Sequence, residues 1–120
     1  MKKAFTIWLT GLPCAGKTTL ANMLFRSLLA QGLTNVEVLD GDVVRTHLSK
    51  GLGFSRADRD TNILRIGWVC QVLTKHGVYS IVAAVSPFRA VRNEVRAMIE
   101  KAGGAGSLIE VWVRCGVEEC

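Results

Sequence analysis

The sequence predicts a single α/β domain, with helices on both faces of a parallel sheet in a three-layer arrangement. Short apolar runs alternate along the chain with longer segments in which apolar residues recur at helical spacing, as in parallel strands joined by right-handed crossovers. Hydrophobic residues make up 49% of the 120 residues, which is enough for one core. No stretch approaches the roughly 18 uninterrupted apolar residues of a membrane span.

A glycine-bounded loop follows the first predicted strand, 4–9, and leads directly into a helix that we expect to end near Gly32. Within it, Gly11, Gly16, Lys17 and Thr18 fit the phosphate-binding pattern of Gly, four residues, Gly-Lys and Ser or Thr. Glycines let the backbone turn tightly, so that successive amides and the positive end of the helix face phosphate oxygens. In such a loop the lysine reaches the β- and γ-phosphates, and the threonine hydroxyl holds Mg²⁺.

The alternative is an ordinary glycine-containing turn with an incidental lysine. Strand, loop and helix together favour a nucleoside triphosphate site, and with it a P-loop nucleoside triphosphate hydrolase-like topology. The predicted nucleotide-binding residues are Gly11, Leu12, Pro13, Cys14, Ala15, Gly16, Lys17, Thr18 and Thr19.

Two carboxylates follow the second predicted strand, 36–39, in the sequence Asp40-Gly41-Asp42. In an open parallel sheet the ligand crevice lies at the carboxyl ends of the strands, where the glycine loop also lies. We therefore expect both carboxylates beside the triphosphate. The alternative is a simple turn around Gly41, which is common for Asp-Gly sequences.

The rest of the chain continues the alternation. After a short helix and an irregular loop, a helix is predicted from about Asp58 or Thr61 to Lys75, with Ile63, Ile66, Cys70 and Leu73 on one face. The third strand, 79–85, is apolar throughout, which predicts burial on both faces. A helix capped by Ser86-Pro87 follows, with a buried side of Val91, Val95, Met98, Ile99 and Ala102. The fourth strand is 108–113.

Charge and cysteine content restrict the partners. The net charge of +5 suits anionic ligands, but the basic residues are not interleaved with aromatic ones, so we expect no nucleic-acid partner. We also expect no membrane partner. The four cysteines lack the pairing of a metal site, and their simplest explanation is reduced thiols in a cytoplasmic protein, which is the location we expect. We interpret Arg89, Arg92 and Arg96 as solvated.

Several motifs together resemble the adenylylsulfate kinases. They are the glycine loop 11–20, Asp40-Gly41-Asp42-Val43-Val44-Arg45, Leu52-Gly53-Phe54-Ser55, Arg59-Asp60-Thr61-Asn62-Ile63, Ala83-Ala84-Val85-Ser86-Pro87-Phe88 and Ile109-Glu110-Val111. The resemblance implies a P-loop kinase domain over residues 1–120. It also implies transfer of the γ-phosphoryl group of ATP, with Mg²⁺, to the 3′-hydroxyl of adenosine 5′-phosphosulfate during sulfate assimilation.

The resemblance also assigns roles to individual residues. Asp42 would orient or deprotonate the acceptor hydroxyl, while Asp40, through water, and Thr18 would hold Mg²⁺. The family's acceptor site corresponds to Asp42, Arg45, Phe54, Arg59, Asn62, Val85 and Ser86. Phe54 would stack on the acceptor's adenine, unless it only anchors its loop, and the arginines would bind the phosphosulfate, unless they are solvated.

Ser86 has two interpretations. The resemblance makes it an active-site residue that forms a phosphoserine intermediate. Its position before Pro87 equally fits a helix cap facing the acceptor, with direct phosphoryl transfer.

Family members ordinarily continue beyond the fourth strand with an Asp-Pro-Lys-Gly-Leu-Tyr type segment of a mobile lid. The sequence ends at Cys120 without it, so we expect the 120-residue chain alone to be weakly active or inactive. Two alternatives to the kinase stay open: a truncated, non-catalytic nucleotide-binding module and another small-molecule P-loop kinase. The candidate assemblies are a homodimer and an association with ATP sulfurylase.

Overall fold

In a computed structural model of the chain, the structure describes residues 4–11, 16–40, 44, 46–48, 50–53, 55–84 and 89–112. Strands and helices alternate along them in the predicted order. The strands are β1 (Thr6–Thr10), β2 (Val36–Asp40), β3 (Tyr79–Ala83) and β4 (Leu108–Trp112). The longer helices are α1 (Lys17–Ala30), α2 (Arg56–Lys75) and α3 (Arg89–Gly103).

All strand pairs are parallel, and the strand order is β2-β3-β1-β4. One row of residues crosses the whole sheet: Asp40 lies opposite Ala83, Ala83 opposite Leu9, and Leu9 opposite Val111. The strands therefore end together, at what we call the carboxyl edge of the sheet. The predicted parallel α/β architecture is confirmed.

Helices cover both faces of the sheet because successive strand residues point to opposite sides. Trp8 packs in a core with residues of α2 and α3, whereas its neighbour Leu9 packs on the other face in a core with residues of α1. All five residues of β3 are buried, as predicted for a central strand. With one core on each face of the sheet, the fold has three layers: α1, the sheet, and the pair of α2 and α3.

Helix α2 begins at Arg56, two residues before the earlier of the two approximate starts that were predicted, and it ends at Lys75 as predicted. The apolar periodicity begins only at Ile63, but the start of the helix is set by Ser55, whose hydroxyl accepts a hydrogen bond from the Asp58 N–H at 3.1 Å. On the buried face, Leu73 is half-buried and Thr74 is buried instead.

Helices α2 and α3 approach each other closely at a glycine. A Cβ added at Gly67 would lie 2.8 Å from a methyl group of Val95, closer than such atoms can pack. The absence of a side chain at Gly67 therefore fixes the separation of the two helices.

No helix in the described ranges has both the length and the apolar character needed to cross a bilayer.

Candidate functional site

The carboxyl edge carries the predicted nucleotide loop. Strand β1 ends at Thr10, Gly11 follows it, and Gly16 is the N-cap of α1. Gly16 has φ 86° and ψ 21°, a left-handed conformation that favours glycine. A Cβ there would meet no described atom within 4 Å, so the backbone conformation, not crowding, requires glycine.

The start of α1 is open. Among the described residues no side chain caps it, and its first turn contains no acidic residue. The first amides of a helix have no partner within the helix, and the helix dipole places partial positive charge there. This helix start therefore has the donors and the polarity to bind an anion such as a phosphate group.

Only some of the predicted site residues are among those that the structure describes. Gly11, Gly16 and Thr19 are described, and Thr19 is exposed in the first turn of α1. Lys17 and Thr18 belong to that turn, but their side chains lie outside the description. The predicted residues wholly outside it are Leu12, Pro13, Cys14, Ala15, Asp42, Arg45, Phe54, Val85 and Ser86.

Asp40 ends β2 at the same edge and is half-buried. Strand β3 separates β2 from β1, so Asp40 stands about 10 Å along the sheet from its row partner Leu9, at an interstrand spacing of about 4.8 Å. We expected this carboxylate to lie beside the nucleotide loop. In the structure, β3 lies between the strand that carries Asp40 and the strand that leads into the loop. The described residues contain no cluster of three His, Cys, Asp or Glu that would hold a metal by itself.

The start of α2 brings Arg59 and Asn62 to the same edge. The helix has 20 residues, about 30 Å of length, and is followed closely by the amino end of β3, so its first turns lie at the carboxyl edge. Arg59 is exposed and Asn62 is half-buried. Their spacing of three places them on one side of the helix. Ile63, next to Asn62, lines a small cavity together with Thr10 at the end of β1.

That cavity is not a nucleotide site. It has about 10 Å³ of space and is lined by Trp8, Thr10, Ile63, Arg92, Val95, Leu108 and Glu110. Room of that size suits about one water molecule, whereas ligand pockets measure roughly 300–1,000 Å³. The buried Nε1 of Trp8 has no hydrogen-bond partner among the described residues.

Two arginines of α3, which we expected to be solvated, make contacts with other side chains. Arg96 is half-buried and pairs with Glu110 at 3.2 Å and Glu100 at 3.4 Å. The Arg92 guanidinium lies 5.2 Å from the centre of the Trp112 ring. The interpretation of these two residues as solvated was wrong, because β4 brings Glu110 and Trp112 against α3. The four-residue spacing of Arg96 and Glu100 was a sequence signal for one of these contacts.

A loop beside the start of α2 is also organised by a residue that the sequence analysis did not single out. Asp58 Oδ2 accepts a hydrogen bond from the Gly53 N–H at 2.8 Å, and the Asp58 N–H donates to Ser55 Oγ at 3.1 Å. Ser-x-x-Asp is a helix-start signature and could have identified the second contact. The first contact spans a loop and has no such signal.

Known proteins resemble the chain over almost all of its length. The sequence model described as Adenylylsulphate kinase matches residues 3–120. An adenylyl-sulfate kinase of Synechococcus sp. strain JA-3-3Ab is 55% identical over 119 residues, covering 99% of this chain and 64% of the relative. The chain therefore spans slightly less than two thirds of that relative's length.

Two solved structures extend the likeness to the fold. The Mycobacterium tuberculosis APS kinase CysC, in complex with AMPPNP and APS, has a TM-score of 0.89 and 35% identity, covering 100% of this chain and 68% of the other. A hexameric APS kinase from Thiobacillus denitrificans has a TM-score of 0.86 and 47% identity, covering 94% of this chain and 22% of the other. These likenesses confirm the P-loop fold class. With a family match from residue 3 to residue 120, the chain belongs to the adenylylsulphate kinase family.

Proposed function

We propose that the protein is an adenylylsulfate kinase, which transfers the γ-phosphoryl group of ATP to the 3′-hydroxyl of adenosine 5′-phosphosulfate. The observation that carries the proposal is the carboxyl edge, where the uncapped start of α1 and the residues Arg59 and Asn62 occur together. One feature suits a nucleotide phosphate and the other suits an anionic acceptor. The mycobacterial relative that was solved with AMPPNP and APS supports the same pair of ligands.

Binding of ATP is assigned to the loop and the first turn of α1. Backbone amides after Gly16 would donate to phosphate oxygens, and the Lys17 ammonium would reach the β- and γ-phosphates. No acidic residue in that turn opposes the phosphate charge. Positioning and charge stabilisation supply most of the catalysis of phosphoryl transfer, so these contacts are the central ones.

The donor set fits Mg²⁺, which prefers a few protein oxygens and completes its shell with water and substrate phosphates. The Thr18 hydroxyl and, through water, the Asp40 carboxylate would hold it. Bound there, Mg²⁺ would neutralise part of the phosphate charge.

The acceptor is assigned to the start of α2 and its flanking segments. Arg45 and Arg59 would bind the phosphosulfate through their guanidinium groups, and Asn62 would hydrogen-bond the acceptor. Phe54 would stack on its adenine, and Val85 and Ser86 would line the same site. Asp42 would orient the 3′-hydroxyl and accept its proton. For Ser86 we keep both direct transfer and a phosphoserine intermediate, and turnover by Ser86→Ala separates them.

The reaction belongs to sulfate assimilation, and we propose a cytoplasmic location, in keeping with the buried free thiol of Cys70. The hexameric relative supports self-association as one form of assembly, and an ATP sulfurylase is a second candidate partner. Sedimentation of the purified protein, alone and with the sulfurylase, measures both.

The decisive experiment compares two acceptors. We expect Mg²⁺-dependent ATP consumption with adenosine 5′-phosphosulfate and none with adenosine 5′-phosphate. Lys17→Ala should lower turnover by at least about 100-fold, because a cation is lost at the transferred phosphoryl group. Lys75→Ala, at the opposite end of α2, is the matched control. Equal use of both acceptors would favour another small-molecule kinase, and ATP binding without transfer would favour a non-catalytic module.

A further inference from the structure

The outward face of α2 carries a large aromatic side chain in contact with water. Trp68 lies in the second half of the helix and is 60% exposed. It lines an open groove of about 300 Å³ together with Leu48, Thr61, Leu64 and Arg65. A large apolar side chain beside a groove is typical of a surface that binds another molecule. Two copies of this face would each offer a groove and an aromatic ring to the other.

Trp68 belongs to a stripe that runs along α2. Positions separated alternately by three and four residues stay on one side of a helix. The side opposite to the stripe is the buried one, and it comprises Ile63, Ile66, Gly67, Cys70 and Thr74. Each member of the stripe is exposed or half-buried, and in chain order they are Asp58, Thr61, Arg65, Trp68, Val72 and Lys75.

The stripe is complementary to itself when one of two helices is reversed. In an antiparallel pair centred between residues 65 and 68, Arg65 of each copy lies opposite Trp68 of the other. The Asp58 carboxylate then lies opposite the Lys75 ammonium at each end. A parallel pair in register would oppose Arg65 to Arg65 and Asp58 to Asp58, and like charges repel. The charge pattern therefore favours the antiparallel pair, which has the two-fold symmetry of most homodimers.

Arg65 is held in a position suited to this contact. Its Nη1 donates a hydrogen bond to the Leu48 carbonyl at 3.1 Å, beside the groove. A guanidinium donates in its own plane, so its flat face stays able to stack on an indole. Asp58 and Lys75 lie at the rim, where charges steer association more than they add affinity. The central contact is thus a cation stacked on an aromatic ring, made twice across the two-fold axis.

We propose that the outward face of α2 is an interface between two copies of this chain, whose α2 helices pack antiparallel across a two-fold axis. Each Trp68 indole enters the groove of the other copy and stacks on its Arg65 guanidinium. The inference rests on the self-association included in the proposed function and names the surface that it uses. Because the helices run in opposite directions, the carboxyl edges of the two copies lie at opposite ends of the pair.

Sedimentation equilibrium of the purified protein tests the interface. We expect the parent to form a dimer or an assembly of dimers. Trp68→Ala should raise the dissociation constant of the pair by at least about 30-fold, the effect of an interface hot spot. Trp68→Phe should have a smaller effect, because a ring still enters the groove and faces Arg65. Circular dichroism of each variant checks that the chain is folded.

Met23→Ala is the matched control, since Met23 has the same exposed fraction of 60% but lies on α1. It should change the dissociation constant by no more than about threefold, because truncations outside hot spots are nearly neutral. A parent that stays monomeric at its highest soluble concentration would overturn the inference. Equal losses for Trp68→Ala and Met23→Ala would also overturn it.

Cross-linking tests the orientation of the two helices. Thr61→Cys and Val72→Cys, combined in one chain, would place a thiol of each copy opposite a thiol of the other. In either single variant, the two introduced thiols would lie 11 positions apart along the helix pair, or about 16 Å. A bismaleimide with a short spacer should therefore join two chains of the double variant alone, above the background of the parent's own thiols. Efficient joining of a single variant contradicts the antiparallel pair.

Turnover measured on the same samples separates this inference from the proposed kinase reaction. A monomeric parent that turns over overturns the inference and leaves the reaction standing. A parent dimer that dissociates with Trp68→Ala, but does not turn over adenosine 5′-phosphosulfate, supports the interface and overturns the reaction. Because the interface lies away from the carboxyl edge, Trp68→Ala should keep the turnover per chain within about threefold of the parent value.

Discussion

The starts of α1 and α2 lie at the same edge of the sheet, but their N-terminal capping differs. Helix α1 begins after a left-handed glycine, with no side-chain cap among the described residues and no acidic residue in its first turn. Helix α2 begins after Ser55, whose hydroxyl caps it, and has Asp58 in its first turn. Among the described residues, one helix start is thus without a side-chain cap and the other is capped by Ser55.

The two helix starts differ in stability and in the groups that they offer to a ligand. A side-chain cap stabilises a helix by about 1 kcal/mol, so leaving α1 without one has a cost in stability. In return, its amides stay available to an anionic ligand. At the start of α2 the Asp58 amide is taken by the Ser55 cap, and the helix presents the side chains of Arg59 and Asn62, with Gly53 of the preceding loop bonded to Asp58. This contrast is in keeping with the proposed backbone recognition of phosphate at α1 and the proposed side-chain recognition of the acceptor at α2.

The largest expected effect comes from giving α1 a carboxylate cap like those of self-capped helices. Gly16→Asp should weaken ATP binding by roughly 100-fold, because the carboxylate would compete for the amides and repel the phosphates. Titration with a fluorescent ATP analogue measures the change. Thermal unfolding should show little loss, since aspartate tolerates the left-handed conformation better than most residues.

Gly16→Asn is the matched control, because asparagine has a similar shape and tolerates the same backbone conformation without the charge. It should weaken ATP binding much less than Gly16→Asp. Equal losses for the two variants would mean that the site needs glycine for its backbone alone.

A second test moves α2 as a whole instead of changing its start. Gly67→Ala should lower the free energy of unfolding by about 1–3 kcal/mol, because the new methyl group has no room beside Val95. Urea denaturation measures this loss. The displaced α2 should also bind the acceptor more weakly, while the ATP affinity of the α1 start should persist.

Asn93→Ala, on the exposed side of α3, controls for a general effect of substitution in this helix pair. It should change stability by no more than about 0.5 kcal/mol. If Gly67→Ala proves as stable as this control, the close approach at Gly67 is not what fixes α2.

The last effect appears only in alkaline solution and concerns the far half of α2, where burial raises the pKa of the Cys70 thiol from 9.0 to about 12, with the neighbouring Ser80 and Thr6 hydroxyls acting in the opposite direction. The unfolded chain loses this proton near pH 9, whereas the folded chain keeps it to about pH 12. The contribution of the protonated thiol to stability is therefore complete below pH 9 and is lost as the pH rises from 9 to 12.

Denaturation of the parent and of Cys70→Ala across that range isolates this contribution. The parent should lose stability more steeply, by at most about 1.4 kcal/mol per pH unit. Parallel curves would show that ionisation of the buried thiol does not limit the stability of the protein at alkaline pH.

The sequence was most informative where a pattern is local. The glycine spacing identified the start of α1, and the apolar run of β3 predicted its burial on both faces. Prediction left the start of α2 approximate, at Asp58 or Thr61 instead of Arg56, because the first turns carry Arg59, Asp60 and Asn62 and have no apolar periodicity. It failed for Arg96, whose partner Glu110 is on a neighbouring strand and becomes adjacent only through folding.

By itself, the sequence determined the alternation of strands and helices and the glycine spacing at the start of α1, and it predicted the phosphate loop and the acceptor residues, because these depend on spacing along the chain. Only the tertiary structure decided that β3 lies between β1 and β2, that a glycine sets the distance of α2 from α3, and that Asp58 reaches back to Gly53. Those features depend on contacts between segments that sequence spacing does not specify. Their geometry is fixed when the sheet and its two helical layers pack together.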